Sequence, residues 1–137
     1  MRISEVVRID AKGRVTVPMP IREAVGVREG MYVMLLADPD RKEILVVPFA
    51  DPEAKLVEFR VKISDTPGAL ARIAEVLADA KIDLLSSESR TLHRGELAEW
   101  FAITDISKCT YDLKEIQRKV VKNGAAKSVE IQEYPQI

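Results

Sequence analysis

Two groups of residues in this chain could do chemistry. The first is cationic: Arg8, Lys12, Arg14 and Arg22 stand close together near the start. An arginine guanidinium makes paired hydrogen bonds to phosphate, and to guanine in the major groove, which admits a β-ribbon. These four side chains are therefore candidates for contact with double-stranded DNA. The second group is Asp65, Gly68, Ala69, Leu70 and Asp83. A helix beginning near Gly68 would offer free backbone N–H groups and a favourable dipole to an anion such as an α-carboxylate. Gly68 would let a ligand approach the backbone closely, and Asp65 or Asp83 could accept hydrogen bonds from an α-ammonium.

Other chemistry lacks its residues. His93 is the single histidine and Cys109 the single cysteine. Nucleophile–base pairs and sites with several nitrogen or sulfur ligands are thus mostly out of reach, and no internal disulfide can form. There is no G-x-x-x-x-G-K phosphate loop and no carboxylate pair within a recognisable motif. An enzyme is not expected, nor a metal or cofactor. His93 precedes Arg94-Gly95, a turn signal, and Cys109 reads as a small structural residue.

The groups need elements to hold them. With 47% hydrophobic and 31% charged residues the chain of 137 is globular in composition. No apolar run approaches the roughly 20 residues of a membrane span. The N-terminus has no signal-peptide core, so a cytoplasmic location is expected. Net charge is −1, divided as +1 over residues 1–50 and −2 over 51–137. A near-neutral half can still bind DNA if its cations share a face and a dimer doubles them.

Residues 50–55, Ala-Asp-Pro-Glu-Ala-Lys, read as a linker between two domains, 1–49 and 56–137. In the first, strand-like runs at 6–10 and 14–17 flank Ala11-Lys12-Gly13. Pro20 opens a short helix over 21–25 that Gly26 closes, and runs at 31–36 and 43–47 flank the turn 38–41. Some 50 residues make a poor lone core, so dimerisation is expected. In the second domain Val57, Phe59, Val61 and Ile63 alternate with Glu58, Arg60 and Lys62. Thr66-Pro67 predicts an N-cap and first helical residue, with Leu70, Ile73, Ala74 and Leu77 as the apolar stripe. A hairpin over 84–106 turns at 93–96. A second helix spans about 112–123 with Gly124 as its stop, and a last strand surrounds Val129 and Ile131. The order is βαββαβ, the ferredoxin-like unit. The second face of that sheet must either be covered or stay polar.

The run from Arg8 to Gly26 follows D-x-x-G-R-h-x-h-P-x-x-h-R, where h is apolar, and resembles the AbrB/MazE/SpoVT family over residues 5–49. That resemblance implies a dimer of interleaved, swapped hairpins, with DNA contact by residues matching Arg8, Arg14 and Arg22. Glu23 and Met31 depart from its common pattern. Residues 56–134 resemble an ACT domain, through Asp65-Thr66-Pro67-Gly68-Ala69-Leu70 and through Ile82-Asp83-Leu84, where Asp83 replaces the usual Asn. This implies side-by-side pairing and an amino acid bound at the interface. The fold class expected is α+β, a dimeric swapped-hairpin β domain followed by a ferredoxin-like ACT domain. The expected function is a DNA-binding transcriptional regulator that senses an amino acid or similar metabolite, as a homodimer or a tetramer. The alternative is a scaffolding subunit that dimerises through both domains and binds a protein partner without DNA.

Overall fold

The computed structural model describes residues 1–134. The chain divides into two compact units, Met1–Pro52 and Glu53–Ile137.

The first unit contains helix α1 (Met19–Val25) and strands β1 (Tyr32–Asp38) and β2 (Glu43–Ala50). Pro18 and Pro20 bracket the helix start, and Gly26, at φ 83°, ends it. The left-handed conformation there costs an L side chain but not glycine. Strands β1 and β2 form an antiparallel hairpin with Leu36 opposite Leu45 and Leu35 opposite Val46. The two strands expected at 6–10 and 14–17 are not formed. What remains of that hairpin is its turn, where Gly13 N donates to Asp10 O and Asp10 N to Arg14 O, both at 3.0 Å. Their ladder has no neighbour among the described residues, and an isolated two-stranded ribbon is marginal. A swapped-hairpin arrangement is therefore not seen in the single chain.

The second unit is mixed α+β: β3 (Leu56–Ile63), α2 (Ala69–Asp79), β4 (Asp83–His93), β5 (Leu97–Asp105), α3 (Leu113–Lys122) and β6 (Ser128–Glu133). The sheet order is β4-β5-β3-β6, all neighbours antiparallel, which is the ferredoxin-like βαββαβ fold. The alternation in β3 works as its sequence demands. Val57, Phe59, Val61 and Ile63 are buried against Ile73 and Leu77 of α2 and Ile116 and Val120 of α3. On β5 the partners are Ala98, Trp100, Ala102 and Thr104. Thr104 is the one buried polar residue among the described residues, and its hydroxyl donates to Val57 O at 3.1 Å, so its burial leaves nothing unsatisfied.

Local chemistry sets the helix ends. Asp112 caps α3 by accepting from Glu115 N at 2.8 Å, while Lys119 and Lys122 complement the dipole at its other end. Beyond it, a Cβ on Gly124 would lie 2.6 Å from both Ile73 Cδ1 and Val120 O. No side chain fits between α3 and α2 at that point. Helix α2 starts later than expected. Thr66 does not cap it and Pro67 does not open it; Gly68, at φ 84°, is the N-cap, and no side chain bonds to the first turn. Thr66 N instead donates to Ser64 O, and Ala69 N to Thr66 O, so residues 64–68 form a separate turn. Leu70 accordingly moves off the buried stripe, which is Ala69, Ile73 and Leu77.

Candidate functional site

The N-terminal cations gather around one turn. The Asp10 carboxylate organises it: one oxygen accepts from Lys12 N and Arg14 N, both at 2.9 Å, and the other from Arg14 Nε at 2.7 Å. The Arg14 backbone bond, then its side chain, hold the Asp10 carboxyl below the usual aspartate range against a small opposing effect of burial. Arg14 is thus tied back onto the turn. Arg22 is also engaged, with Nη1 donating to Val17 O at 2.8 Å. Arg8 and Lys12 are exposed, and no side-chain bond holds either among the described residues. Of the four predicted DNA contacts, two are free to reach a ligand and two serve the local fold, although Arg14 remains well exposed.

The C-terminal candidates fall into two places. Asp65, Gly68, Ala69 and Leu70 lie together in the turn that follows β3. Within it Asp65 is committed: its carboxylate accepts from Gly95 N at 2.7 Å, and its own N–H donates to Glu96 O. It clamps the β4–β5 turn. The N–H of Ala69 is used by Thr66 O, but those of Gly68, Leu70 and Ala71 have no acceptor among the described residues. These three N–H groups stand at a helix start beside Gly68, whose αL backbone is open on its Cβ side, the kind of arrangement that favours an anion.

Asp83 is not part of that cradle within one chain. Strand β4 runs parallel to β3 across β5, so Asp83 is level with Asp105 and Leu56. Ile63, next to the cradle, is level with Ala98 and Thr91. The two candidates are therefore at opposite ends of the sheet, separated by the length of β3, about 23 Å at the usual strand rise. Strand β4 itself is an uncovered edge. Its Ser87, Ser89 and Thr91 sit opposite Ala102, Trp100 and Ala98, whose side chains are buried, yet all three are exposed.

The remaining reactive residues are placed simply. His93 ends β4, and its C=O accepts from Glu96 N. Cys109 is half-buried, its Sγ 3.7 Å from Tyr111 O, and packs against the core. No group of three His, Cys, Asp or Glu that could hold a metal occurs among the described residues. No described helix is long and apolar enough to cross a membrane.

Comparison with known proteins gives a domain assignment. Residues 57–123 match the ACT domain family, so an ACT domain occupies most of the second unit. A search of curated proteins finds no match. Among solved structures, the chain is similar to the C-terminal domain of the MgtC protein from Mycobacterium tuberculosis, with 12% identity and a TM-score of 0.48 over 61% of this chain and 92% of that one. It is also similar to an unknown protein from Galdieria sulphuraria, with 14% identity and a TM-score of 0.48 over 68% of this chain and 58% of that one.

Proposed function

We propose that the ACT domain at residues 57–123 is a small-ligand sensor whose effector is a free amino acid, and that the N-terminal unit converts its state into DNA binding. The observation that carries the sensing half is the set of orphan N–H groups at Gly68, Leu70 and Ala71. They supply a carboxylate site, while Asp65 already has one oxygen, Oδ2, engaged by Gly95 N, so we assign the ammonium partner elsewhere. ACT domains typically bind small effectors and often dimerise. Antiparallel pairing of the β4 edge with β4 of a second copy would set the Asp83 end of one sheet beside the Gly68 end of the other. Asp83 is then the ammonium acceptor, and the complete site exists only in the dimer. Such coupling lets a ligand favour one arrangement of the two copies over another, which is what a regulator requires.

The DNA half rests on the cations of the first turn and on its exposed apolar hairpin. Leu35, Leu36, Ile44 and Leu45 are 48–72% exposed in the single chain, and covering them with a second copy would place two sets of Arg8, Lys12, Arg14 and Arg22 on one particle. One observation favours the scaffolding alternative: Arg14 and Arg22 already have intramolecular partners, as they would if the unit only assembled. The deciding experiment selects bound fragments from a random duplex pool, with and without a mixture of the common amino acids. An enriched inverted repeat whose yield changes with the mixture supports the regulator. No enrichment at low salt, where phosphate contacts are strongest, sinks the DNA half and moves the reading to the scaffold. In parallel, Asp83→Ala should abolish any amino-acid-induced rise in Tm; a retained rise places the ammonium elsewhere.

A further inference from the structure

Helix α3 runs against the charge balance of its surroundings. Residues 51–137 hold 13 Lys and Arg against 15 Asp and Glu, a net −2. Yet α3 carries Lys114, Arg118, Lys119 and Lys122 against the single carboxylate of Glu115. Arg118 and Lys122 are four residues apart and Lys119 and Lys122 three, so all three cations share one side of the helix and repel one another. Among the described residues no ion pair relieves them; the only one is Arg14–Asp10. Lys119 Nζ instead lies 4.5 Å from the centroid of the Tyr111 ring, an attraction that a charge-assisted hydrogen bond exceeds.

These cations wall a cleft. Helices α2 and α3 pack tightly where Gly124 meets Ile73. Nearby, a concavity of about 290 Å³ is lined by Tyr111, Glu115, Arg118, Lys119, Lys122 and Asn123. A second, of about 150 Å³, is lined by Val76, Asp79 and Ala80 of α2 and by the same Tyr111, Lys119 and Asn123. The two adjoin across the Lys119–Tyr111 contact. One is mainly cationic; the other joins a carboxylate to apolar side chains. The Tyr111 hydroxyl and the Asn123 carboxamide, shared by both, make no hydrogen bond among the described residues.

We propose that this cleft binds a phosphate monoester of a polyhydroxy compound, the chemistry of a sugar phosphate. The phosphate lies between Arg118 and Lys122, where a guanidinium can meet two of its oxygens at once, and Lys119 turns from the Tyr111 ring to join them. The rest of the ligand enters the smaller concavity. There its hydroxyls donate to Asp79, its C–H surface packs on Val76 and Ala80, and the Asn123 carboxamide bonds between the two parts. Other ligands fit less well. A free amino acid brings one anionic group to three cations and sets an ammonium beside them. A duplex brings a continuous line of phosphates, and Glu115 and Asp79 would repel those next to the first. A phosphate ester with a neutral body puts its only charge on the cations. None of these residues belongs to the Gly68 cradle, to Asp83 or to the N-terminal basic turn, so this site and the reading proposed above stand or fall separately.

The test titrates the full 15N-labelled chain with glucose 6-phosphate, then with glucose and with inorganic phosphate. Saturable shifts are expected with glucose 6-phosphate at the amides of Tyr111, Arg118, Lys119, Lys122 and Asn123. Inorganic phosphate should bind the same residues about tenfold more weakly, lacking the hydroxyl contacts, and glucose should shift none of them. Arg118→Gln/Lys122→Gln should weaken glucose 6-phosphate about tenfold or more, through loss of two charge-assisted contacts. Lys62→Gln/Arg90→Gln, which removes the same charge from the sheet, should leave affinity unchanged. Arg118 and Lys122 are exposed, and the near-UV circular dichroism of Trp100 reports that the fold persists in both variants. No shift with millimolar glucose 6-phosphate, inorganic phosphate binding as tightly as the ester, or an equal loss in the two variants overturns the proposal. So does a short DNA duplex that shifts these amides when glucose 6-phosphate does not, which would assign the cations to nucleic acid.

Discussion

The two units of this protein treat their apolar residues in opposite ways. In the second, Phe59, Val61, Ile73, Leu77 and Val120 are completely buried between sheet and helices. In the first, no residue from Met1 to Pro52 is buried, and Ile44 and Leu35 are 72% and 65% exposed. The strands of the first unit are the richer in apolar residues, so composition does not account for the contrast. The second unit has two helices to lay across its sheet. The first has a single helix of seven residues, none of them buried, and a two-stranded ribbon that cannot enclose a core. An ACT sheet is thus complete in one chain as a folded body, while the hairpin unit leaves its apolar residues exposed in the single chain.

The largest effect that would sharpen this contrast is loss of the second core. Phe59→Ala should destabilise the Glu53–Ile137 unit by about 3–5 kcal/mol, since it removes a fully buried ring from a packed interior. Urea unfolding followed by Trp100 fluorescence measures it, and a loss under 1 kcal/mol would mean the core is looser than its burial indicates. Next comes Leu45→Asp on the hairpin. If a second copy covers this surface, a fully covered leucine is worth about 1.5–3 kcal/mol per chain, and light scattering should show a shift toward smaller species with the urea transition of the second unit unchanged. An unchanged mass would put Leu45 outside any interface. Gly124→Ala should cost about 1–3 kcal/mol, because its Cβ meets backbone at Val120 and must move Ile73 as well. Stability within a few tenths of the parent would show that α3 yields easily there.

The smallest effect concerns pH. The Asp10 carboxyl is held below its ordinary range by the Arg14 backbone and side-chain bonds. Its contribution to the turn is therefore fully present above the ordinary aspartate pKa and is lost as pH falls through the lowered value. The amide resonances of Lys12 and Arg14 should report this titration, at a pH below that of an unperturbed aspartate, and Asp10→Asn should remove it. A midpoint at or above the ordinary value would contradict the bonded turn. Asp105 behaves in the same direction. Partial burial raises its pKa, but bonds from Ser107 N and Lys55 N outweigh that and leave the carboxyl low.

Much of the second unit was legible because its signals are local and periodic. The two-residue alternation of β3, the helix over about 112–123 and the turn at 93–96 each state their own structure. The late start of α2 was not legible. Thr66-Pro67 is a good cap sequence, and only the clamp between Asp65 and the distant Gly95 shows that residues 64–68 are already engaged elsewhere. The approach of Arg60 and Arg90 to one Phe101 ring was missed for a related reason. Glu58 and Arg60 read as ordinary solvated alternation, and their meaning depends on Phe101 and Arg90 arriving beside them from other strands.

The sequence by itself determined the elements of the ACT unit, their order, which face of β3 is buried, and the residue types around Gly68 and the first basic turn. These follow from backbone sterics and from spacing along the chain, which need no knowledge of distant residues. Only the tertiary structure decided that Asp83 and Gly68 lie at opposite ends of one sheet, that Asp65 and Arg14 are already bonded, and that Arg60 and Arg90 approach one Phe101 ring. Those are facts of strand register and direction. Neighbours across a sheet are fixed by how strands pair, and residues far apart in sequence meet only once that pairing is made.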